Sequence, residues 1–439
     1  MNDLARPPVI VAGGAANALS IARSLGALGV AVYGLGVPPA VMASRFIRPI
    51  ALPAGGEPEQ VWANYLLGPD SEALLGAVVV AGSDVGITVL ARHRKQLLER
   101  FRLDVSDVDA QLGLLDKLST YRLAAAADVP TPRFWRVEGQ DDLESECAEY
   151  VYPLIVKPLL SHEYQARFPG KFRVVGDLAE LRTVHRELTE AGISVMLTEL
   201  IPGPDTLLCS YNTYIDRSGS PTFDFTKRTL RRFPPGMGLG SHHVTDWNPE
   251  VKDVALRLFK HVGLRGLANA EFKRDERDGQ LKLIECNARF TDAAPLFAAA
   301  GFDMARHVYF QILGEPCELP RTYLTGLRMV YLSNDYRCFR ILRARGELTF
   351  GQWVRSVAHR QTFPFLRLDD PGPALVRGRT RVADFLRARA PRLHRMRATR
   401  GTDRSAVRLV VCTSGRFPSE PAAAVQRDPA PSAEQVGDR

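Results

Sequence analysis

Short apolar runs alternate with amphipathic stretches over the first part of the 439-residue chain. An apolar run at 9–12 ends in two glycines, a helical stretch follows at 17–28, and a second apolar run lies at 30–34. A third apolar run, 77–81, leads through a Gly-Ser-Asp turn into another helical stretch. Strand, glycine turn, helix and strand in this order are typical of a parallel sheet with crossover helices. We therefore predict an α/β domain over residues 1–115.

Farther along, two strand-like segments flank a short charged connection. The segments are 268–273 and 281–290, and the connection between them, 274–280, contains an Asp-Gly pair. Asp-Gly between two alternating segments is typical of a β-hairpin turn. The pattern predicts an antiparallel hairpin over residues 268–290.

One face of this hairpin is polar. Side chains alternate along a strand, so Glu285, Asn287 and Arg289 share a face, and pairing of the two strands brings Glu271 level with it. Carboxylate and amide oxygens are hard ligands, which suit Mg²⁺ and its bridging of substrate phosphates. We predict a divalent-metal site formed by Glu271, Glu285 and Asn287. The alternative is an edge hairpin without a ligand, since any half-buried sheet alternates in this way.

The remaining chain divides into three parts. A helical stretch that begins at Asp116 ends before a Val-Pro-Thr-Pro segment at 129–132, where the prolines favour extended backbone. Mixed strands and helices follow, which predicts a second domain over 116–316. Residues 317–390 have mixed patterning and form an appended segment. Proline, alanine, serine and arginine dominate 391–439, a composition that predicts a disordered tail.

The net charge of +8 does not favour a nucleic-acid ligand, because it is concentrated in one segment. Between residues 377 and 408 lie eleven arginines and two aspartates, so the rest of the chain is close to neutral. This basic segment is either a solvated extension or, over 382–396, an amphipathic helix that contacts an anionic membrane surface. Membrane contact is therefore left open for the arginine-rich tail alone.

Neither export nor a transmembrane segment is indicated by the sequence. Residues 1–8 lack the basic, apolar and small-residue regions of a secretory signal, and no run of about 18 uncharged apolar residues occurs. The six cysteines are scattered singly, which is not the spacing of a disulfide framework or a zinc site. We predict a cytoplasmic protein.

A glycine-rich segment at 233–243 predicts a loop that faces the substrate. Three of the five residues 236–240 are glycine, and glycine allows the backbone to approach an anion closely. His242 and His243 follow without a third ligand at a useful spacing. We expect them to be exposed or hydrogen-bonded rather than to bind a metal.

Five segments in a fixed order make the chain resemble the ATP-grasp superfamily, and within it the carboxylate–amine ligases. They are Asp116-Lys117, Ile155-Val156-Lys157-Pro158, residues 197–205, Phe225-Thr226-Lys227-Arg228, and the hairpin that carries Glu271 and the run Glu285-Cys286-Asn287-Ala288-Arg289. The resemblance implies an α/β fold in which an N-terminal parallel-sheet (pre-ATP-grasp) domain precedes a two-lobed α+β ATP-grasp module. It also implies ATP as the nucleotide and Mg²⁺ or Mn²⁺ as the ion.

The resemblance assigns the basic residues to the triphosphate. Lys117 and Lys157, from separate elements, are expected to clamp the phosphates from the two lobes, because excluding water strengthens such charge pairs. Lys227 lies on a segment that resembles a phosphate-contacting strand, and Lys171 is expected to add a further contact. Arg289 is expected to stabilise negative charge near the transferred phosphoryl group or on the tetrahedral intermediate. Arg289 and Lys227 are thus the candidate catalytic residues.

The same resemblance places the nucleoside at residues 197–205. Glu199 and Ile201 are expected to flank the adenine, which needs both donors and acceptors in an apolar slot. Asp205 is expected to accept hydrogen bonds from the ribose hydroxyls, at a position where related proteins more often have glutamate. A simple turn at 202–205 is the alternative.

Together these residues predict an ATP-dependent ligase. One substrate carboxylate attacks the γ-phosphorus to give an acyl phosphate and ADP, and the amine of the other substrate then displaces phosphate to form an amide. The partners are thus a small-molecule carboxylate and an amine, and the resemblance is compatible with a homodimer. Two alternatives remain: a bicarbonate-using enzyme of the carboxylase or carbamoyl-phosphate type, and a nucleotide-binding protein that regulates without turnover.

Overall fold

Three β-sheets carry the fold in a computed structural model of the full sequence. The structure describes residues 6–389 except 161, 162, 165, 166, 169 and 321, and it leaves out the side chains of 140 and 384–389. The chain divides into two units, Met1–Ala383 and Asp384–Arg439, and all three sheets lie in the first. The predicted tail at 391–439 lies outside the described residues.

The first sheet is four-stranded and parallel, with the order β3-β2-β1-β4. Its strands are β1 (Val9–Ala12), β2 (Val32–Leu35), β3 (Ile47–Pro49) and β4 (Val78–Ala81). The helices in this part of the chain are α1 (Ala16–Gly26), α2 (Pro39–Met42), α3 (Pro58–Leu67), α4 (Asp84–Arg92), α5 (Arg94–Leu98) and α6 (Val108–Leu115). Val9 and Val11 of β1 lie in one apolar core, and Ile10 and Ala12 lie in another. Burial on both faces explains why the strand is a continuous apolar run, and the predicted α/β fold is confirmed here.

The second sheet is antiparallel and has the order β5-β8-β6-β7. Its strands are β5 (Phe134–Val137), β6 (Leu154–Pro158), β7 (Arg173–Val175) and β8 (Val195–Glu199). Helix α7 (Lys117–Ala126) precedes it, and α8 (Gln140–Ser145) and α9 (Leu178–Glu190) connect its strands. Leu154 and Val156 of β6 pack against Leu181 and Leu188 of α9 in a core of their own. This sheet and its helices form the smaller lobe of the part of the chain that follows the parallel sheet.

The third sheet has seven strands in the order β13-β12-β9-β10-β11-β14-β15. They are β9 (Leu208–Ile215), β10 (Phe225–Phe233), β11 (Leu239–Asp246), β12 (Gly266–Arg274), β13 (Leu281–Asn287), β14 (Arg328–Val330) and β15 (Gln361–Thr362). The helices of this part are α10 (Pro249–Val262), α11 (Ala294–Ala299), α12 (Met304–Leu313), α13 (Leu332–Ala344), α14 (Phe350–Val357) and α15 (Gly372–Arg389). Phe225 and Phe297 share the core that contains Val9 and Val11 of β1. The parallel sheet and the large sheet are therefore joined by one apolar core.

None of the described helices combines the length and the apolar character that crossing a bilayer requires.

Candidate functional site

Four side chains form a row across the large sheet at the predicted metal site. Lys227 of β10 pairs with Ser210 of β9, Ser210 pairs with Glu271 of β12, and Glu271 pairs with Glu285 of β13. Residues that pair directly across antiparallel strands project from the same face of the sheet, so these side chains lie side by side. The register confirms that the hairpin forms and that Glu271 lies opposite Glu285.

Asn287 lies one pleat farther along the same face, where it pairs with Asn269. Its Nδ2 donates to Asn269 Oδ1 over 3.2 Å, which leaves its own Oδ1 as an acceptor. Mg²⁺ commonly takes only one or two carboxylates from a protein and completes its coordination with water and phosphate oxygens. Glu271, Glu285 and the amide oxygen of Asn287 fit that donor set. In the described ranges no cluster of three or more His, Cys, Asp or Glu side chains is suited to hold a metal.

An open cleft of about 600 Å³, solvent included, lies against β13. Helices α4, α6 and α7 supply its other walls, and its polar lining includes Asp84, Lys117, Tyr121, Glu285 and Asn287. Asp116 caps α7 by accepting a hydrogen bond from Ser119 N over 2.6 Å, which sets Lys117 in the first turn. Burial lowers the pKa of Lys117, while Glu285 opposes that shift. Lys117 thus lies within electrostatic reach of a predicted metal ligand.

Lys157 is buried on β6 and points toward the same hairpin. Its Nζ donates to Tyr121 Oη over 2.7 Å, and Tyr121 Oη donates to Ile284 O of β13 over 3.0 Å. Burial lowers the pKa of Lys157 to about 8, although Glu285 favours the charged amine. The two predicted clamp lysines therefore approach the hairpin 268–290 from α7 and from the second sheet.

The other two predicted phosphate ligands differ in burial. Lys227 is buried, and its Nζ lies 3.9 Å from Glu271 Oε1. Lys171 is exposed, and its charge acts on both Asp84 and Lys117, which places it beside the cleft. Three predicted lysines, Lys117, Lys157 and Lys227, thus lie within electrostatic reach of the two predicted metal carboxylates.

Arg289 contacts the parallel-sheet domain. Its Nε donates to Asp84 Oδ1 over 2.6 Å, and Asp84 is the first residue of α4. Burial raises the pKa of Asp84, but Arg289, with Lys117 and Lys171, outweighs it, so the pKa is lowered overall. The sequence interpretation missed Asp84, and its only signal was a position directly after an apolar strand and a Gly-Ser turn.

Two arginines, Arg277 of the hairpin connection and Arg232 of β10, bind the acidic side chains of the predicted nucleoside segment. Glu199 accepts from Arg133 N at Oε1 over 3.0 Å and from Arg277 Nη2 at Oε2 over 2.9 Å. Asp205 accepts from Arg232 N over 3.0 Å and from Arg232 Nε over 2.8 Å. Both carboxylates are thus engaged within the protein, and the ribose contact of Asp205 stays a prediction.

Lys273 of β12 fixes the backbone of this segment and was missed from the sequence. Its Nζ donates to Ile201 O over 2.9 Å and to Gly203 O over 2.6 Å. Burial lowers the pKa of Lys273 to about 8. Because Lys273 lies two positions after Glu271, one strand supports both the predicted nucleoside segment and the predicted metal site.

Replacing Lys273 by methionine is expected to weaken nucleotide binding about tenfold, because hydrogen bonds to a charged group are worth about 1.5–3 kcal/mol and the two carbonyls would lose their donor. Titration of the protein with a fluorescent ADP analogue at pH 7 measures the change. Lys260→Met, on the exposed face of α10, is the matched control. Unchanged affinity in Lys273→Met would contradict this role.

The predicted loop at 233–243 is wrong in its second half. Residues Leu239–Asp246 form β11, which leaves only the turn after Phe233 irregular. His242 is fully buried, and its Nδ1 accepts from Arg231 Nη2 over 2.6 Å. Burial, with Arg231 nearby, lowers the pKa of His242 to about 3. The expectation that the histidines are hydrogen-bonded is confirmed. Arg231 also makes a bidentate pair with Asp335 of α13 at 2.7 and 2.9 Å, so His242 helps to attach α13 to the sheet.

No protein-family model matches the chain. Among curated proteins it is similar to the D-aspartate ligase of Enterococcus faecium (strain Aus0004), with 25% identity over 242 residues that cover 53% of this chain and 57% of the relative. It is also similar to the D-alanine–D-alanine ligase of Stutzerimonas stutzeri (strain A1501), with 28% identity over 218 residues that cover 46% of this chain and 66% of the relative. The chain thus spans less than two thirds of the length of these two relatives.

Solved structures share the fold at low identity. The biotin carboxylase domain of Hydrogenobacter thermophilus 2-oxoglutarate carboxylase, in complex with MgADP, has a TM-score of 0.57 at 16% identity and covers 72% of this chain and 71% of that one. N5-carboxyaminoimidazole synthetase from Staphylococcus aureus, complexed with ADP, has a TM-score of 0.57 at 15% identity, with coverages of 74% and 82%. The L-amino acid ligase of Bacillus licheniformis has a TM-score of 0.53 at 16% identity, with coverages of 70% and 74%. At these identities the likeness establishes the fold, and it confirms the predicted class.

Proposed function

We propose that this chain, whose fold and relatives are those of the ATP-grasp superfamily, is an ATP-dependent ligase that joins a carboxylate to an amine. The observation that carries the proposal is the register that places Glu271 directly opposite Glu285, with Lys227 on the same face and Asn287 one pleat away. Acidic oxygens beside buried cations suit a triphosphate together with its ion. The curated relatives named above are ligases by name, and they support this choice of reaction.

The metal donors and the lysines have separate tasks in this proposal. Glu271, Glu285 and Asn287 would hold Mg²⁺, which when bound neutralises phosphate charge and polarises the phosphoryl oxygens. Lys117 from α7 and Lys157 from β6 bind the phosphates from two directions. Because both amines are largely withdrawn from water, their attraction for the phosphates is little screened. Lys171 and Lys227 are assigned to the remaining phosphate oxygens.

The adenosine part is assigned to the segment that Lys273 fixes. Main-chain groups of Glu199 and Ile201 flank the adenine in this proposal, and Asp205 accepts from the ribose. The support for it is that Ile201 is buried and that its carbonyl is already oriented by Lys273. A preorganised segment loses little entropy when the nucleotide binds.

The reaction proceeds by two displacements. A carboxylate oxygen of the acid attacks the γ-phosphorus, the bond to the β,γ-bridging oxygen breaks, and ADP leaves as the acyl phosphate forms. The neutral amine then attacks the acyl carbon, phosphate leaves with the carbon–oxygen bond electrons, and the surplus amine proton passes to water. Arg289 supplies positive charge where the phosphoryl oxygens and then the tetrahedral oxyanion become more negative. Asp84 holds that guanidinium in place.

Substrate-dependent ADP release tests this function. The purified chain is incubated with MgATP and with amino acids, dipeptides and small acids, singly and in pairs, and the products are weighed by mass spectrometry. We expect sustained ADP release over many turnovers to require an acid and an amine together, with a product equal in mass to their sum less one water. With the acid alone, hydroxylamine should trap the acyl phosphate as a hydroxamate. ADP release that depends on bicarbonate instead, or nucleotide binding without turnover for any pair, would replace the proposal by one of its alternatives.

Several finer assignments belong to the same proposal. Mn²⁺ is a substitute for Mg²⁺ because both accept hard oxygen donors, and a homodimer is supported by the domain dimer of the H. thermophilus neighbour. A cytoplasmic location is proposed from the scattered cysteines. The division into 1–115, 116–316, 317–390 and 391–439 is likewise retained as a proposal.

A further inference from the structure

A chain of buried amides connects Asn287 to the row of paired residues. Asn269 Nδ2 donates to Asn212 Oδ1 over 2.9 Å, and Asn212 Nδ2 donates to Ser210 Oγ over 3.4 Å. Together with the bond from Asn287 to Asn269, these contacts cross β13, β12 and β9. Asn269, Asn212 and Ser210 are each at most 2% exposed. We call the four side chains Asn287, Asn269, Asn212 and Ser210 the amide network.

The hydrogen bonds of the amide network all run in one direction. Each NH₂ group donates to the next side chain of the network, and the amide oxygens of Asn269 and Asn212 each accept from the side chain before them. Turning over the amide of Asn269 would place its NH₂ against the NH₂ of Asn287 and its oxygen against the oxygen of Asn212. Two buried amides would then lose their partners, at a cost of about 1–3 kcal/mol each. The second NH₂ hydrogen of Asn269, which donates to Tyr211 O over 3.3 Å, further opposes that reversal.

This direction has a consequence for Asn287. An asparagine amide has a broad, nearly two-fold torsional preference, so an unsupported Asn287 presents oxygen and NH₂ to the cleft in turn. Only the oxygen is a metal ligand, because an N–H donor repels a cation. With its NH₂ group bound to Asn269, Asn287 keeps its oxygen available on the side away from Asn269.

The amide network also costs desolvation that packing alone does not require. Asn212 lies opposite Phe225 in the adjoining strand, at the border of the large apolar core. Apolar side chains at 212 and 269 would fill such positions without removing amides from water. A fully bonded polar network in this place is instead suited to holding one side chain in one orientation.

We propose that Asn269 is a positioning residue, supported by Asn212 and Ser210, that holds the amide of Asn287 with its oxygen directed to the divalent ion. The inference rests on the proposed metal site, because it requires Asn287 to be a ligand. It adds to that site three residues that do not themselves contact the ion. Partners that orient metal ligands typically change metal affinity about tenfold to a hundredfold when they are removed.

Metal affinity measured without turnover tests the inference. Free Mn²⁺ is followed by its electron paramagnetic resonance signal while the protein is titrated in the presence of saturating ADP. We expect Asn269→Ala to weaken Mn²⁺ binding about tenfold to a hundredfold. Burial favours the protonated carboxyl in Asn269→Asp, which accepts from Asn287 Nδ2 and donates to Asn212 Oδ1, so this variant should restore most of the affinity. Ser210→Ala, which removes only the far end of the amide network, should weaken binding less than Asn269→Ala.

Three comparisons separate a positioning role from a loss of stability and from a failure of the metal site. Asn248→Ala removes the cap of α10, where Asn248 Oδ1 accepts from Val251 N over 3.2 Å; it should lower the melting temperature but leave Mn²⁺ affinity unchanged. If Asn269→Ala binds Mn²⁺ as the wild type does while Glu285→Gln does not, the amide network is structural and the metal site stands. If Glu285→Gln also binds normally, the metal site itself is wrong. Should Asn269→Ala fail to fold, Ser210→Ala and Asn269→Asp decide the matter by the same titration.

Discussion

Glu285→Gln is expected to reduce ATP turnover about 10³-fold or more, because a metal ion supplies several kcal/mol of charge stabilisation to phosphoryl transfer and each 1.36 kcal/mol is a factor of ten. Glutamine keeps the shape of the side chain and removes its charge. Asn287→Ala is expected to have a similar effect, since it deletes the neighbouring donor. Release of ADP at saturating Mg²⁺ and substrates measures both.

The fold should survive these changes. Glu285 lies directly opposite Glu271, and like charges that face each other across strands are destabilising when no cation is present. Neutralising one of them should leave the melting temperature of the metal-free protein unchanged or higher. Glu250→Gln, on an exposed carboxylate that pairs with Arg274, is the control and should retain full turnover. Turnover near the wild-type level in Glu285→Gln would remove the metal assignment.

Lys157→Met is expected to lower kcat/KM for ATP about 10²-fold, because a charge-assisted hydrogen bond to phosphate is worth up to about 3 kcal/mol. The buried ammonium has a cost in the free protein, which is why burial lowers its pKa to about 8. Methionine removes that cost and retains the volume. Tyr121 keeps its bond to Ile284 O, so no donor is left without a partner. Steady-state kinetics of Lys157→Met should therefore show a lower kcat/KM for ATP. Its melting temperature should not fall.

The pH dependence of kcat/KM in the wild type should report the titration of Lys157. Below about pH 8 Lys157 is charged and binds phosphate, so kcat/KM for ATP should fall as the pH rises through about 8. Stability should change in the opposite direction, because between pH 8 and the ordinary lysine value of 10.5 the unfolded chain binds more protons than the folded one. Lys273 also has a pKa of about 8, so Lys273→Met is measured beside Lys157→Met. If kcat/KM for ATP still falls through about pH 8 in Lys157→Met, the titrating group is another residue.

Short-range patterns were sufficient to predict the elements whose contacts are between residues close together in the sequence. The apolar run at 9–12 is β1, and the predicted helix at 17–28 is observed over Ala16–Gly26. The hairpin at 268–290 was predictable because seven residues separate its strands, so the turn itself selects the pairing partner. Alternation along those strands then determines which side chains share a face. For these reasons Glu271, Glu285 and Asn287 could be placed together from the sequence.

The contacts that complete the site depend on strand order, which a periodic pattern does not contain. Lys227 and Glu271 become neighbours only because Ser210 of β9 lies between their strands. The interpretation of 233–243 as a loop was wrong because glycines that suggest a turn also occur at the start of β11. Its buried histidine is satisfied by Arg231, which itself binds Asp335, 104 positions away.

By itself, then, the sequence determined the two strands of the hairpin and their polar face, since both follow from residue type and from the alternation of side chains along a strand. The tertiary structure alone decided that Asp84 accepts from Arg289 across 205 positions, that Lys273 donates to the carbonyls of Ile201 and Gly203, and that Asn287 donates to Asn269. The physical reason is that periodicity along a strand determines the face from which a side chain projects. The order of the strands in the sheet determines which side chains it contacts on that face.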